Sequence, residues 1–399
     1  MDFGLTKEQE DARREMFEVC KELSKKQPPD WGRSLSLESI YSSDEGWEFN
    51  LYCAKEFAKR GWLSIDWPTE YGGQGRPKIY KALLAEAKEY YKLPGEDLFG
   101  VHILAPTLLW FGSEEQKRKY LPPIAAGETF WCQLWSEPGA GSDLANVSTR
   151  GVRQGDEYIL NGQKIWTTGA HRADWGFMLF KTDPNADPKH RGLSYILVDM
   201  KSPGITVKPL LFMNREHAFN EVFFDDVHIP VENRLGEENK GWLVTRGAMN
   251  AERSGIGTLA SIERDFDDLV EYCNNTIVDG EPLAKNAVIR DQLADVACKL
   301  EANKALSYRM AWEQDSGKMD AIRASATKVF GGELAVRVVC LGNEILGPYG
   351  QVVTSKWAPV KGYFENEYQT ILGMSIAAGS NEIQRNLIAW EGLGLPRLR

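Results

Sequence analysis

Residues 130–143 read Phe130-Trp131-Cys132-Gln133-Leu134-Trp135-Ser136-Glu137-Pro138-Gly139-Ala140-Gly141-Ser142-Asp143. An apolar, aromatic run passes directly into a loop rich in proline and glycine, the pattern of a strand that ends in a tight turn. The chain changes character here. Upstream, apolar residues recur at helical spacing over residues 5–23, with Met16, Val19, Cys20 and Leu23 on one face, and again over residues 47–57, 80–91 and 116–124. Downstream come short β-rich runs at 158–160, 164–166, 175–180, 193–198, 205–207 and 222–224, parted by Asp, Asn, Pro and Gly clusters. Asn161-Gly162, between the first two, reads as a hairpin turn. Helical spacing returns with Ile256, Leu259, Ile262, Phe266 and Leu269, and with Ile289, Leu293, Val296 and Leu300. A third long helix leads to Glu344, and a last one follows Gly379-Ser380 with Ser380 as its N-cap. The reading is an α+β chain in three parts: a helical domain over 1–126, a β-domain over 127–238 and a helical domain over 239–399.

Composition narrows the function classes. The chain has 399 residues, 43% hydrophobic and 26% charged, as in ordinary globular proteins. Lys plus Arg is 47 and Asp plus Glu is 57, giving a net charge of −10, which argues against nucleic-acid binding. No apolar run has the roughly 18 residues of a membrane helix, so membrane insertion is not expected. Met1-Asp2-Phe3-Gly4 lacks a basic-then-apolar leader, and the six cysteines are scattered without a Cys-x-x-Cys pair; both point to a cytoplasmic protein with reduced thiols. The five histidines show no metal-ligand spacing, so no metal is expected.

Singly, the motifs are weak; their order is specific. Pro68-x-Glu70-Tyr71-Gly72-Gly73-x-Gly75 precedes Ser136-Glu137-Pro138-Gly139-Ala140-Gly141-Ser142-Asp143 and Asn161-Gly162-x-Lys164-x-Trp166-Thr167-Thr168. Phe224-Asp225-Asp226-Val227-x-Ile229-Pro230, Gly347-x-x-Gly350 and Gly379-Ser380-Asn381-Glu382-Ile383-Gln384-Arg385-Asn386 follow. Over essentially its whole length the chain resembles the acyl-CoA dehydrogenase family. The resemblance implies a helical N-terminal domain, a central β-barrel or sandwich, a C-terminal four-helix bundle, and FAD. It places Gln133, Trp135 and Ser136 at the flavin ring, with Trp166 and Thr168 along another edge. Gly141 and Ser142 would reach cofactor phosphate or the CoA portion, and Ser380 and Glu382 the ribityl and adenosine part. Glu344, Gly347 and Gly350 would approach the adenine end on a neighbouring subunit. The chemistry suits these residue types: a flavin needs a flat slot, polar donors at its ring edge and close backbone approach to its pyrophosphate.

Two departures from the family stand out. Many members carry a catalytic glutamate just before the C-terminal Gly-Ser/Thr pair; here that position is Ala378, which cannot take a proton. A minority branch places the glutamate before an arginine early in the C-terminal domain, and Glu252-Arg253 occupies that place. Glu252 is the expected base, with Arg253, Ala378 and Gly379 at the substrate. The second departure is a missing arginine near Tyr272, where Asn274, Asn275 and Thr276 stand instead. In relatives it grips FAD of an adjacent subunit, so its absence points to a different local donor or to a heteromer with a second dehydrogenase-like chain.

The activity so implied is α,β-dehydrogenation of an acyl-CoA thioester to the 2-enoyl-CoA. The proton goes to a glutamate, hydride goes to flavin N5, and electrons pass on to an electron-transfer flavoprotein. The expected assembly is a homotetramer or dimer, or the heteromer. Alternatives are a dehydrogenase of an alicyclic, steroid side-chain or dicarboxylic acyl-CoA within a heteromer, or a flavin monooxygenase or oxidase of the same fold. Asp97, beside Glu96, is a candidate acyl-pocket contact, weighed against a solvated loop charge after Pro94-Gly95.

Overall fold

The computed structural model describes residues 4–29, 31, 37–251, 256–316 and 320–397. Twelve α-helices and nine strands are found among them. The helices are α1 (Lys7–Ser24), α2 (Leu37–Ser42), α3 (Asp44–Ala58), α4 (Lys78–Tyr90), α5 (Ala105–Phe111) and α6 (Glu114–Ala125), then α7 (Gly241–Ala251), α8 (Ile256–Asn275), α9 (Ala287–Asp315), α10 (Ala321–Leu346), α11 (Tyr363–Ile371) and α12 (Asn381–Leu387). The strands are β1 (Trp131–Leu134), β2 (Arg150–Gln154), β3 (Glu157–Lys164), β4 (Trp175–Lys181), β5 (Leu193–Asp199), β6 (Ile205–Leu210), β7 (Phe219–Pro230), β8 (Ile277–Val278) and β9 (Glu281–Pro282). The chain forms two compact units: residues 37–75 with 94–252, and residues 1–36 with 76–93 and 253–399.

The first unit is built on a seven-stranded sheet of order β1-β4-β2-β3-β7-β6, with β5 pairing β4 on a separate branch. β1 runs parallel to β4, and β4 antiparallel to β5. Five consecutive residues of β4 and six of β5 are buried, as expected of strands covered on both faces. Met178, Phe180, Ile196 and Val198 join Leu134, Tyr158, Leu160, Val222 and Phe224 in one core. Phe177 stacks on Tyr195, centroids 6.0 Å apart and planes at 9°.

One expectation is corrected here. Asn161-Gly162 is not a hairpin turn: β3 runs straight through it, and the hairpin lies upstream, where Gln154 pairs with Glu157. Gly162 instead marks a register shift against β7 between Leu160 and Gly162. A Cβ there would stand 2.5 Å from Thr149 Oγ1, so close approach rather than a turn requires the glycine. β2 escapes detection because Arg150, Val152, Arg153 and Gln154 are exposed and leave no apolar alternation to see.

The second unit packs α8, α9 and α10 around Leu259, Ile262, Leu269, Val296, Leu300, Leu334, Val338 and Leu341, closed by Tyr363 and Phe364 of α11. α4 lies against α8, and α1 against α4. A buried charge cluster fastens this layer. Lys92 Nζ stands 3.3 Å from Asp265 and 3.5 Å from Asp268, and 3.7 Å from the Tyr363 ring centroid. The Tyr363 hydroxyl donates to Asp265 Oδ2 at 2.9 Å. Burial pushes the Asp265 carboxyl up to about 6, against the pull of Lys92. Lys92→Met should strand this acidic pair and lower the unfolding free energy by about 3 kcal/mol at neutral pH, the usual result of breaking a buried pair. Chemical denaturation of the two proteins checks this; equal midpoints and slopes would contradict it.

Candidate functional site

In the sheet unit, the candidate cofactor wall is assembled by one buried cation. Lys164, at the end of β3, is fully buried. Its Nζ donates to Glu137 Oε1 at 2.8 Å, to Trp135 O at 3.1 Å and to Leu179 O at 2.7 Å, using all three N–H bonds. Glu137 also accepts from Thr149 N at 2.9 Å, and from the N–H and hydroxyl of Ser148. Burial pushes its carboxyl up, but Lys164 and these donors outweigh it and hold the group down at about 2.

Three segments of the wall are thereby fixed. Strand β1 delivers Gln133, half-buried, then Trp135, whose indole lies in the core against Phe177 and Tyr195. The indole is thereby committed to the core, and Trp135 O to Lys164. Ile165 N donates to Ser136 O at 2.9 Å, clamping the strand exit to the segment after β3. Glu137 and Ala140 exchange two backbone hydrogen bonds of 3.0 Å each, closing the loop. Nothing lies within 4 Å of a Cβ built on Gly139 or Gly141, so their lack of side chains serves no internal packing and leaves an open, exposed cradle. Ser142 is exposed beside it.

Trp166 follows directly. Its backbone is left-handed, φ 60°, and its indole is 57% exposed, edge-on to Phe219 at 5.6 Å. A non-glycine in that conformation costs of order 1–3 kcal/mol, and an uncovered indole forgoes burial besides. Both costs make sense where a flat ligand covers the ring. Thr168, two residues on, is buried. An open glycine cradle next to an exposed indole and strand-end peptide groups fits a dinucleotide bearing a planar ring system, as FAD does.

In the helical unit, Ala378 and Gly379 are both left-handed, φ 54° and 86°. Ser380 caps α12, its hydroxyl accepting from Ile383 N at 3.3 Å, as its sequence position implies. Glu382 in the first turn is fully exposed, and hydrogen bonds hold its carboxyl below the usual range. Gln384 donates to Ala378 O and Gly379 O, each at 3.4 Å, and Lys328 holds Asn381 at 2.8 Å. Glu344, exposed, pairs with Arg337 at 3.2 Å just before Gly347 and Gly350. Glu252 and Arg253 lie outside the described residues.

Asp97 and Glu96 are not solvated loop charges. Asp97 is 6% exposed, and its oxygens accept from Phe99 N at 3.2 Å and from Trp131 N at 2.9 Å. It caps the wide helical turn Leu98–Leu104 and ties that turn to β1. Burial pushes its carboxyl up to about 7 against these donors. Glu96 is buried 3.3 Å from His102. Of the residues without an assigned sequence role, Glu137 and Lys164 are the most consequential. A lysine in a strand whose alternate positions turn inward was the available signal.

Models of the acyl-CoA dehydrogenase N-terminal, middle and C-terminal domains match residues 6–128, 132–227 and 239–393. The chain is 35% identical to the acyl-CoA dehydrogenase FadE26 of Mycobacterium tuberculosis, over all of this chain and 99% of that one. Among solved structures it superposes on the Tcur3481-Tcur3483 steroid ACAD with TM-score 0.89 at 32% identity, and on the ChsE4-ChsE5 complex from Mycobacterium tuberculosis with TM-score 0.88 at 34%, each covering 100% of both chains. Among the described residues no helix is long and apolar enough to cross a membrane.

The Lys164–Glu137 pair predicts an acid response. Glu137 titrates lower in the folded chain than its ordinary 4.5. Its contribution is therefore whole above about pH 5 and fades as pH falls toward about 2. Melting temperatures of wild type and Glu137→Gln should differ most near neutrality and converge on acidification; a gap that stays constant down to about pH 2.5 would contradict the pairing.

Proposed function

This chain belongs to the acyl-CoA dehydrogenase family of FAD-dependent oxidoreductases acting on CH–CH groups, and on that premise we propose that it oxidises an acyl-CoA thioester at the α and β carbons, with Glu252 as the base. The observation that carries the cofactor half is the exposed, left-handed Trp166 beside the open cradle of Gly139 and Gly141. FAD, when bound, supplies the two-electron acceptor for the hydrogen leaving the β-carbon. Gln133, Trp135, Ser136, Trp166 and Thr168 orient its ring; Gly141 and Ser142 admit phosphate; Ser380, Glu382, Glu344, Gly347 and Gly350 serve the remainder.

The chain's own chemistry is removal of the α-proton. Ala378 presents no titratable side chain, so the carboxylate must come from elsewhere, and Glu252 before Arg253 supplies one. The backbone N–H of Ala378 survives the loss of a side chain there. Donated to the thioester oxygen, it stabilises the developing enolate, together with the adjoining Gly379 turn. A positioned carboxylate is the group that takes the α-proton. Electrons leave to an electron-transfer flavoprotein.

The missing arginine near Tyr272 supports a heteromer in which a second dehydrogenase-like chain supplies the lost cation. The likeness to the Tcur3481-Tcur3483 steroid ACAD and to the ChsE4-ChsE5 complex favours the same reading, with a bulky ring-bearing acyl group as substrate.

The test is a panel of linear, alicyclic and steroid side-chain acyl-CoAs, scored by anaerobic bleaching of the oxidised flavin band. One class should bleach it, and Glu252→Gln should keep FAD and acyl-CoA binding while slowing bleaching by about 10²–10⁴-fold. Unslowed bleaching in Glu252→Gln would remove Glu252 as base. Bleaching by no acyl-CoA, with or without a partner chain, would remove the activity.

A further inference from the structure

Two imidazoles stand face to face behind the cofactor wall. His171 and His217 stack with centroids 3.9 Å apart and planes at 16°. Between them and the wall sits Asn220 of β7, buried. Asn220 holds the residue between Trp166 and Thr168 twice: its backbone carbonyl accepts from Thr167 N at 3.0 Å, and its side-chain Nδ2 donates to Thr167 O at 3.0 Å. Nδ2 also donates to Ala218 O at 3.3 Å, and Gly169 N donates to the same carbonyl at 2.8 Å.

The proton positions follow from the partners. Thr167 O and Ala218 O are acceptors only, so the amide nitrogen of Asn220 must face them. His171 Nδ1, 3.1 Å from that nitrogen, must then be the bare, accepting nitrogen. Its proton sits on Nε2 and is donated to Tyr41 O at 3.1 Å. Asn220 Oδ1 accepts from His217 Nε2 at 2.9 Å. The two Nδ2 hydrogens, shared among Thr167 O, Ala218 O and His171 Nδ1, meet only acceptors while His171 is neutral. A second proton on His171 would set Nδ1–H against the Nδ2 hydrogens. Turning the amide over would instead set its oxygen against two carbonyls and its nitrogen against a donor. His217 has no such conflict, because its outer nitrogen can take a proton without disturbing Oδ1.

We propose that His171, Asn220 and His217 form an acid-sensitive latch on residues 166–168, in which neutral His171 locks Asn220 in the orientation that grips Thr167, and proton uptake by His171 releases it. Asn220 and His171 are positioning residues; they act on the cofactor wall through the Thr167 peptide. The consequence for FAD rests on the flavin reading given above, whereas the latch itself does not.

The surrounding charges favour the locked state. Arg172 adjoins His171 and pairs with Asp44 at 2.7 Å, and His217 faces it across the stack. Burial, with His217 and Arg172 adding to it, holds the His171 pKa below the ordinary imidazole value. Tyr41, fully buried on the other side, is pushed far above the phenol range and stays uncharged. Glu216, on the loop carrying His217, is pushed up by burial and so offers less negative charge at acid pH. Two charged rings at stacking distance would also repel.

Amide hydrogen exchange, corrected for intrinsic rates, reads the latch directly. Protection of the Thr167 and Gly169 amides, relative to β4, should fall about five- to tenfold between about pH 7.5 and about pH 5.5, the equivalent of losing one or two hydrogen bonds. His171→Gln offers a donor to Tyr41 O and an acceptor to Asn220 with no titration, so its protection should stay level. Asn220→Asp keeps the acceptor for His217 but cannot donate to Thr167 O, and should be unprotected already at about pH 7.5. FAD affinity should follow the same three patterns. Level protection in the wild type, or the same acid loss in His171→Gln, overturns the latch. A latch seen by exchange in a chain that takes no FAD at any pH would sink the flavin reading and leave the latch standing.

Discussion

A charge pair sealed inside the sheet unit is the constraint on which the cofactor wall depends. Taking Lys164 out of water costs several kcal/mol that only a full set of partners offsets. The partners are the Glu137 carboxylate and the carbonyls of Trp135 and Leu179, drawn from the loop, the end of β1 and β4. Glu137 in turn collects the peptide groups that lead into β2. No one of these segments can move away without exposing an unpaired charge in the core. The pair therefore does for the wall what a hydrophobic core does for the sheet, but with directional bonds. A segment held this firmly can carry an unfavourable conformation, as Trp166 does at φ 60°.

Asn220 extends the same logic outward. Lys164 fixes the wall from the β1 side, through Trp135 O and, via Ile165 N and Ser136 O, the strand exit. Asn220 fixes it from the β7 side through Thr167. Residues 166–168 are suspended between two polar clamps, one ionic and one built on neutral imidazoles. A site arranged this way holds its geometry rigidly at neutral pH and retains one point at which a proton changes it.

Much of this was legible in the sequence, for reasons particular to each element. α1, α3 and α4 showed because one face of each is buried; β4 and β5 showed because both faces are. β2 was silent because it is a mostly exposed strand, and Asn161-Gly162 misled because a glycine forced by Thr149 looks the same in sequence as one forced by a turn. The candidate wall residues were named as a set through the ordered motifs and the family they resemble. The polar framework behind them was not: Lys164, Glu137, Asn220, His171 and His217 meet across separations of 27 to 49 residues, or three in one case, and no local period records such meetings. Asp97 was visible as a residue of interest, yet its oxygens are committed to backbone N–H groups. That commitment depends on where β1 lies, which local sequence does not specify.

A double-mutant cycle on FAD affinity tests the central role of the buried pair most directly. Lys164→Met, Glu137→Gln and the double variant would each be titrated with FAD near neutral pH, in whatever assembly the wild type binds it. Either single change leaves an unmatched buried group, so each should weaken FAD binding strongly. The double change removes both charges together and should weaken it less than the sum, with a coupling of at least about 1.5 kcal/mol. Additive losses, or single variants that bind FAD as tightly as the wild type, would show that the wall stands without the pair.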